Sequence, residues 1–154
     1  MSNNRRPYAD PTADAAIGNI MREERNAMRE VQRPKSRPLV FICSPLAGAI
    51  EENQRNARRY CRYALRQGAI PFAPHLFFTQ FMSESDPGQR NLGIVCGLAF
   101  LEKCREMWVF GEHLSEGMHR ELTHAMRSDM HIRIRYFDER CNELPDNPYY
   151  RHST

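Results

Sequence analysis

Four short apolar runs recur along the chain, and each is followed or preceded by a segment with helical spacing. The first, "PLVFICS" (38–44), is apolar without alternation, which suits a central strand covered on both faces of a sheet. "PLAG" follows as a turn, and a helix is expected from about Glu51 to Gln67. Its Ala57, Tyr60, Cys61 and Ala64 keep helical spacing, its outer face is rich in Arg, and Gly68 serves as its stop. "AIPFAP" (69–74) reads as a second strand closed by Pro74. "HLFFTQFMSESDPGQR" is irregular, with one helical stretch from Leu76 to Met82. A helix then runs from Asp86 to Lys103, with Pro87 in its first turn. "REMWVFG" (105–111) is the third strand, and "SEGMHREL" opens a helix that reaches Ser128. "HIRIRYF" (131–137) is the fourth strand. Its Ile132, Ile134 and Tyr136 alternate with Arg133 and Arg135, the pattern of an edge strand.

Strands alternating with helices imply βαβ units, a parallel sheet and right-handed crossovers. The expected fold is α/β: a Rossmann-like, flavodoxin-like three-layer sandwich with a mainly parallel sheet of about four to five strands and an N-terminal helical extension. Residues 1–37 form that extension, disordered over 1–9 and helical from Asp10 to Val31, where Ile17, Ile20, Met21, Met28 and Val31 share one side. "QRPKSRP" breaks it. Residues 38–137 form the α/β domain, and 138–154 a tail of loop or a short capping segment. Ligands of such sheets bind beyond the carboxyl ends of the strands, which selects "SPLAG", "PHLFF" and "GEHLSEG".

Composition narrows the class. The length of 154 residues fits one domain with a real core, and no run of 18 apolar residues exists to span a membrane. The N-terminus is polar and carries no secretory h-region. Five scattered cysteines without a CxxC pair suggest reduced thiols, a cytoplasmic location and no zinc or other metal site. No cofactor is expected. The net charge of +3 is uneven: residues 1–37 hold eight Lys/Arg against five Asp/Glu, and the other 117 hold fourteen of each. The body of the chain therefore shows no basic stripe and no nucleic-acid footprint.

The candidate chemistry lies at the three loops. Ser44, Pro45, Leu46 and Gly48 make a small turn in which Ser44 offers a hydroxyl and Gly48 lets a ligand approach; an ordinary strand-to-helix turn reads the same way. His75 follows a strand end, where an imidazole can donate a proton near neutrality. Asp86 and Arg90 can bind polar groups, and Asp86 is also a natural helix N-cap. With Ser115 as N-cap, Gly117 and Met118 offer backbone N–H groups at the positive end of a helix. Glu121 lies one turn on, below the space left by Gly117 and among Met118, Leu122 and Ala125. It is either an exposed first-turn carboxylate or a desolvated pocket group, a nucleophile or base.

The ordered set "FICSPLAG", "APHLFF" and "WVFGEHLSEGMHRELTHA" resembles the nucleoside 2-deoxyribosyltransferase-like superfamily, more closely its small bacterial and phage members. The resemblance covers about residues 38–137. It implies a nucleoside or nucleotide site at the carboxyl edge of the sheet and an N-glycosidic bond as the target. Glu121 would attack the anomeric carbon, and a second base or water would resolve the glycosyl ester, giving transfer or hydrolysis. It also implies a homo-oligomer. The chain departs from the family at three acidic positions: Ser115, Gly97 and Arg105 stand where carboxylates occur. The missing carboxylates favour an alternative, a non-catalytic nucleotide-binding or sensing module using the same cleft.

Overall fold

The structure is a computed structural model, and it describes residues 11–31, 37–127 and 129–149. The expected disorder over 1–9, most of the "QRPKSRP" break and Ser128 lie outside the described residues. The chain divides into two compact units, 1–36 and 37–154. In the first, α1 (Pro11–Val31) is helical as its spacing predicts, with Ile17, Ile20 and Met21 along one side; the side chains of Met28 and Val31 are not among those described.

The second unit is α/β. Its elements are β1 (Leu39–Cys43), α2 (Ile50–Arg66), β2 (Ile70–Phe72), α3 (Pro74–Phe77), α4 (Pro87–Leu101), β3 (Glu106–Phe110), α5 (Glu116–Ala125), β4 (Arg133–Phe137) and β5 (Glu143–Leu144), with a 3₁₀ turn at Phe78–Gln80. The five strands form one mixed sheet in the order β2-β1-β3-β4-β5, parallel except for the last pair. Pro74 starts α3 rather than ending a strand: it lacks the N–H that the first helical turn does not use.

The run "LVFIC" explains the core. Val40 and Ile42 point to one face, where they join Tyr60 and Ala64 of α2 with Trp108, Phe110 and Phe137. Phe41 and Cys43 point to the other, where they meet Leu101, Met118, Leu122 and Ala125 of α4 and α5 with Met107 and Val109. Each fully buried Val, Ile, Leu, Phe or Met contributes roughly 1.5–3 kcal/mol, so a strand that is apolar on both faces belongs at the centre. Tyr60 stacks on Phe110 with centroids 4.1 Å apart, and Phe110 on Phe137 at 4.9 Å.

Two expectations are corrected. β4 is not an edge strand, because β5 pairs with it antiparallel through Tyr136–Leu144 and Phe137–Glu143. The alternating arginines have another cause. Arg135 lies over the rings of Trp108 (4.7 Å) and Phe137 (5.3 Å) and donates two 2.7 Å hydrogen bonds to Glu143. Glu106, which accepts from the Trp108 indole at 2.7 Å, lies 3.5 Å from the same guanidinium. Arg135→Ala is therefore expected to cost about 1–3 kcal/mol in urea denaturation. Arg133→Ala, at a side chain 70% exposed and 3.8 Å from Glu106, should stay within about 0.5 kcal/mol; equal effects would refute the assignment. The second correction concerns charge: the domain does have a basic stripe, five exposed arginines along α2, which segment totals conceal because acids elsewhere balance them.

Among the described residues no helix is long and apolar enough to cross a membrane. All five cysteines are free thiols.

Candidate functional site: a buried glutamate at the carboxyl edge of the sheet

The loops after β1, β2 and β3 converge, and a cleft open at its mouth lies among them. The β1–α2 loop supplies Leu46 and Ala47, whose carbonyls both accept from the Asn53 side-chain amide (3.0 and 3.2 Å), so the start of α2 fixes the loop. Pro74, His75 and Phe78 enter from α3 and the turn behind it. Thr79 ties that segment down by donating to the His75 carbonyl at 2.6 Å and accepting from Gln54 at 3.2 Å.

α5 brings the carboxylate. Ser115 is its N-cap, and its Oγ accepts from the Met118 N–H at 3.3 Å. The amides of Glu116 and Gly117 precede any intrahelical acceptor. A Cβ at Gly117 would meet nothing within 4 Å, so the glycine keeps the space above the helix open. Glu121 follows one turn later on the face that also carries Met118, Leu122 and Ala125, and it is only 2% exposed. The structure thus decides between the two readings of Glu121 in favour of the pocket. Its Oε2 has no hydrogen-bond partner among the described residues. Burial pushes its pKa up to about 8, against a smaller lowering by a hydrogen bond from the Cys43 thiol. The same burial, with the neighbouring carboxylate, raises the Cys43 thiol well above its ordinary range.

His75 is half-buried on the wall of the cleft. Its Nε2 contacts the Ser44 carbonyl, which can only accept, so the ring proton sits on that nitrogen. Burial lowers the imidazole pKa and the Ser44 hydrogen bond raises it by less. His75 is neutral near pH 7 with its one N–H committed, so the proton donation expected of it does not fit this environment.

Leu46, His75, Arg90, Ser115, Gly117 and Glu121 line the cleft as the sequence predicts; five other candidates do not. Ser44 contributes its carbonyl to His75, while its buried hydroxyl has no partner among the described residues. Pro45 packs beside Gly111, within 3.9 Å of where a Cβ would stand. Gly48 takes a left-handed φ of 92° that ends the loop. Asp86 caps α4, accepting from Gly88 and Gln89 at 2.8 and 3.1 Å. Met118 is buried in the core and its N–H is taken by Ser115, so it offers nothing to a ligand.

Sequence reasoning missed Glu84, Gly93 and Ile94. Glu84 lies in the irregular segment and pairs with Arg90 at 3.8 Å, placing a second carboxylate on the cleft wall. Gly93 and Ile94 sit three and four residues after Arg90, and helical spacing from Arg90 was the available signal. Two of the three departures also have places. Gly97 is buried, and a Cβ there would touch Pro74 at 3.6 Å, so α4 and α3 run close. Arg105 precedes β3, at the end opposite the cleft. Among the described residues no group of three or more His, Cys, Asp or Glu side chains is arranged to hold a metal.

Fold and cleft together define an α/β protein with a buried carboxyl at the carboxyl edge of a mainly parallel sheet. Residues 38–136 match the model of a family described as a domain of unknown function, DUF7768, and the chain belongs to that family. No curated protein matches the chain.

Proposed function

We propose that the protein processes nucleosides or nucleotides by breaking an N-glycosidic bond, with Glu121 as the nucleophile. The observation that carries this reading is the unpartnered Oε2 of Glu121, buried at a cleft that Gly117 also lines. A buried carboxyl with one oxygen left unpartnered is costly, and such groups gather where chemistry needs them. We read the fold as Rossmann-like and flavodoxin-like, a three-layer sandwich. The order β2-β1-β3-β4 and the apolar clusters on both faces of the sheet support that assignment.

In the proposed reaction the sugar lies over Gly117, and the ionised Glu121 forms a C–O bond to the anomeric carbon. The C–N bond breaks, its electron pair leaves with the base, and a proton reaches the base from water. Water or a second base then attacks the same carbon and releases Glu121, with two inversions and net retention. Backbone amides at the start of α5 and the Arg90 guanidinium hold polar groups of the ligand.

One observation favours a second reading, a non-catalytic nucleotide-binding or sensing module. With its pKa near 8, Glu121 is mostly protonated at neutral pH and presents a hydrogen-bond donor rather than a nucleophile. Incubation with a panel of nucleosides and nucleotides, followed by chromatography, separates the two. Free base supports catalysis, intact retained ligand supports binding, and neither outcome for any ligand rejects both. We further read the protein as a cytoplasmic homo-oligomer. The exposed Phe77, Phe81, Leu92 and Val95 support self-association, and mass in solution tests it.

A further inference from the structure

α2 turns five arginines to solvent: Arg55, Arg58, Arg59, Arg62 and Arg66. At about 100° per residue they fall within an arc of roughly 100°, opposite Ala57, Tyr60 and Ala64, which are buried against the sheet. The helix carries only Glu51 and Glu52 against them, both in its first turn. Among the described residues none of the five pairs with a carboxylate. Arg59 has local contacts, with Asn56 at 3.4 Å and the Tyr60 ring at 5.1 Å.

We propose that this face of α2 docks on the phosphate backbone of duplex DNA, an interaction independent of the cleft and of the reading given to it. Arg55 and Arg66 stand eleven residue steps apart, about 16 Å of helix, which matches about five phosphates of one strand. The guanidinium fork suits phosphate oxygens, and the row is Arg throughout, with no Lys. A membrane surface is the poorer fit, because an interfacial helix needs a free apolar face and that of α2 is spent on the core. An acidic protein is the poorer fit too, since the row offers no aromatic anchor to desolvate. Single strands want exposed aromatic platforms, and this face has none.

The test is fluorescence anisotropy of a labelled duplex of about 20 base pairs, titrated with the full chain from about 50 to 200 mM salt. The slope of log K against log salt is expected at about −4 to −5. Replacing Arg55, Arg58 and Arg62 together by Ala leaves out the stacked Arg59 and the dipole-facing Arg66, so the melting temperature should hold. That variant should bind about 10–100-fold more weakly at about 100 mM salt, with a slope shallower by about 2–3. Unchanged binding by the variant overturns the proposal and points to the basic residues of 1–37. No duplex binding at about 50 mM salt, or capture by anionic phospholipid vesicles in place of duplex, overturns it as well. Base release has no bearing on this outcome: a chain that holds duplex but frees no base loses only the enzymatic reading.

Discussion

Glu121→Gln is expected to make the protein more stable at pH 8 to 9, although it alters a buried polar residue. In the folded protein burial holds the Glu121 pKa near 8, whereas the unfolded chain titrates near the ordinary 4.5. The raised folded value means that the neutral acid is what the fold prefers. Its contribution is fully present below pH 4.5 and is lost as pH rises through 8, because the unfolded chain releases this proton first. Each unit of that interval is worth about 1.4 kcal/mol, so a shift of this size sets a ceiling of about 4–5 kcal/mol. Relaxation and water entry should reduce it to about 2–4 kcal/mol. Glutamine has the same shape and never ionises, so it escapes the loss. At pH 5 the two proteins should agree within about 1 kcal/mol, and by pH 9 the variant should be the more stable by the full amount. Urea midpoints at pH 5, 7 and 9 measure this, and His75, whose lowered pKa also shapes the curve, cancels in the difference. A gap that stays constant across the three values would refute the burial argument.

How much of this was legible depends on the range of the signal. "PLVFICS" revealed a central strand because its burial is written in consecutive residues, and both faces of that strand are indeed core. Glu121 was legible as a conflict: a carboxylate at i+3 from Met118 and i+4 from Gly117, on the side of a helix that must face the sheet. What was not legible is the result of distant segments meeting. β5 has two residues and no period, so nothing in "HIRIRYF" announced that its outer edge would be paired. Tyr149, near the end of the chain, donates to the Gly111 carbonyl at 2.6 Å and packs against Tyr136, a contact that only the folded tail creates. Glu84 reaches the cleft from a loop without pattern. Met118 failed for a local reason, since the Ser115 cap that makes the helix start also takes its amide. The Arg-rich outer face of α2 was legible from helical spacing, but bookkeeping by segment hid its weight: fourteen positive and fourteen negative residues over 38–154 sum to zero, while the helix puts five of one sign on one side.

If Glu121 is the nucleophile, the largest kinetic effect belongs to it. Glu121→Gln should lower base release by about a thousandfold or more while ligand retention survives, because the amide keeps the shape and loses the attacking charge. In the unaltered protein kcat/KM should rise close to tenfold per pH unit below about 8 and level off above it, following the ionised fraction of the free enzyme. Gly117 supplies the complementary result. Nothing stands within 4 Å of the position a Cβ would take, so Gly117→Ala should fold and gain up to about 1 kcal/mol from the stiffer helix. Gly117→Leu should also fold, but its side chain enters the space above Glu121, and the loss should appear in KM and retention before it appears in kcat. One variant removes the chemistry and the other removes the room for it. A flat profile between pH 6 and 9, or full turnover in Glu121→Gln, would dismiss the nucleophile; a Gly117→Leu protein that holds ligand normally would dismiss this cleft as the place where it sits.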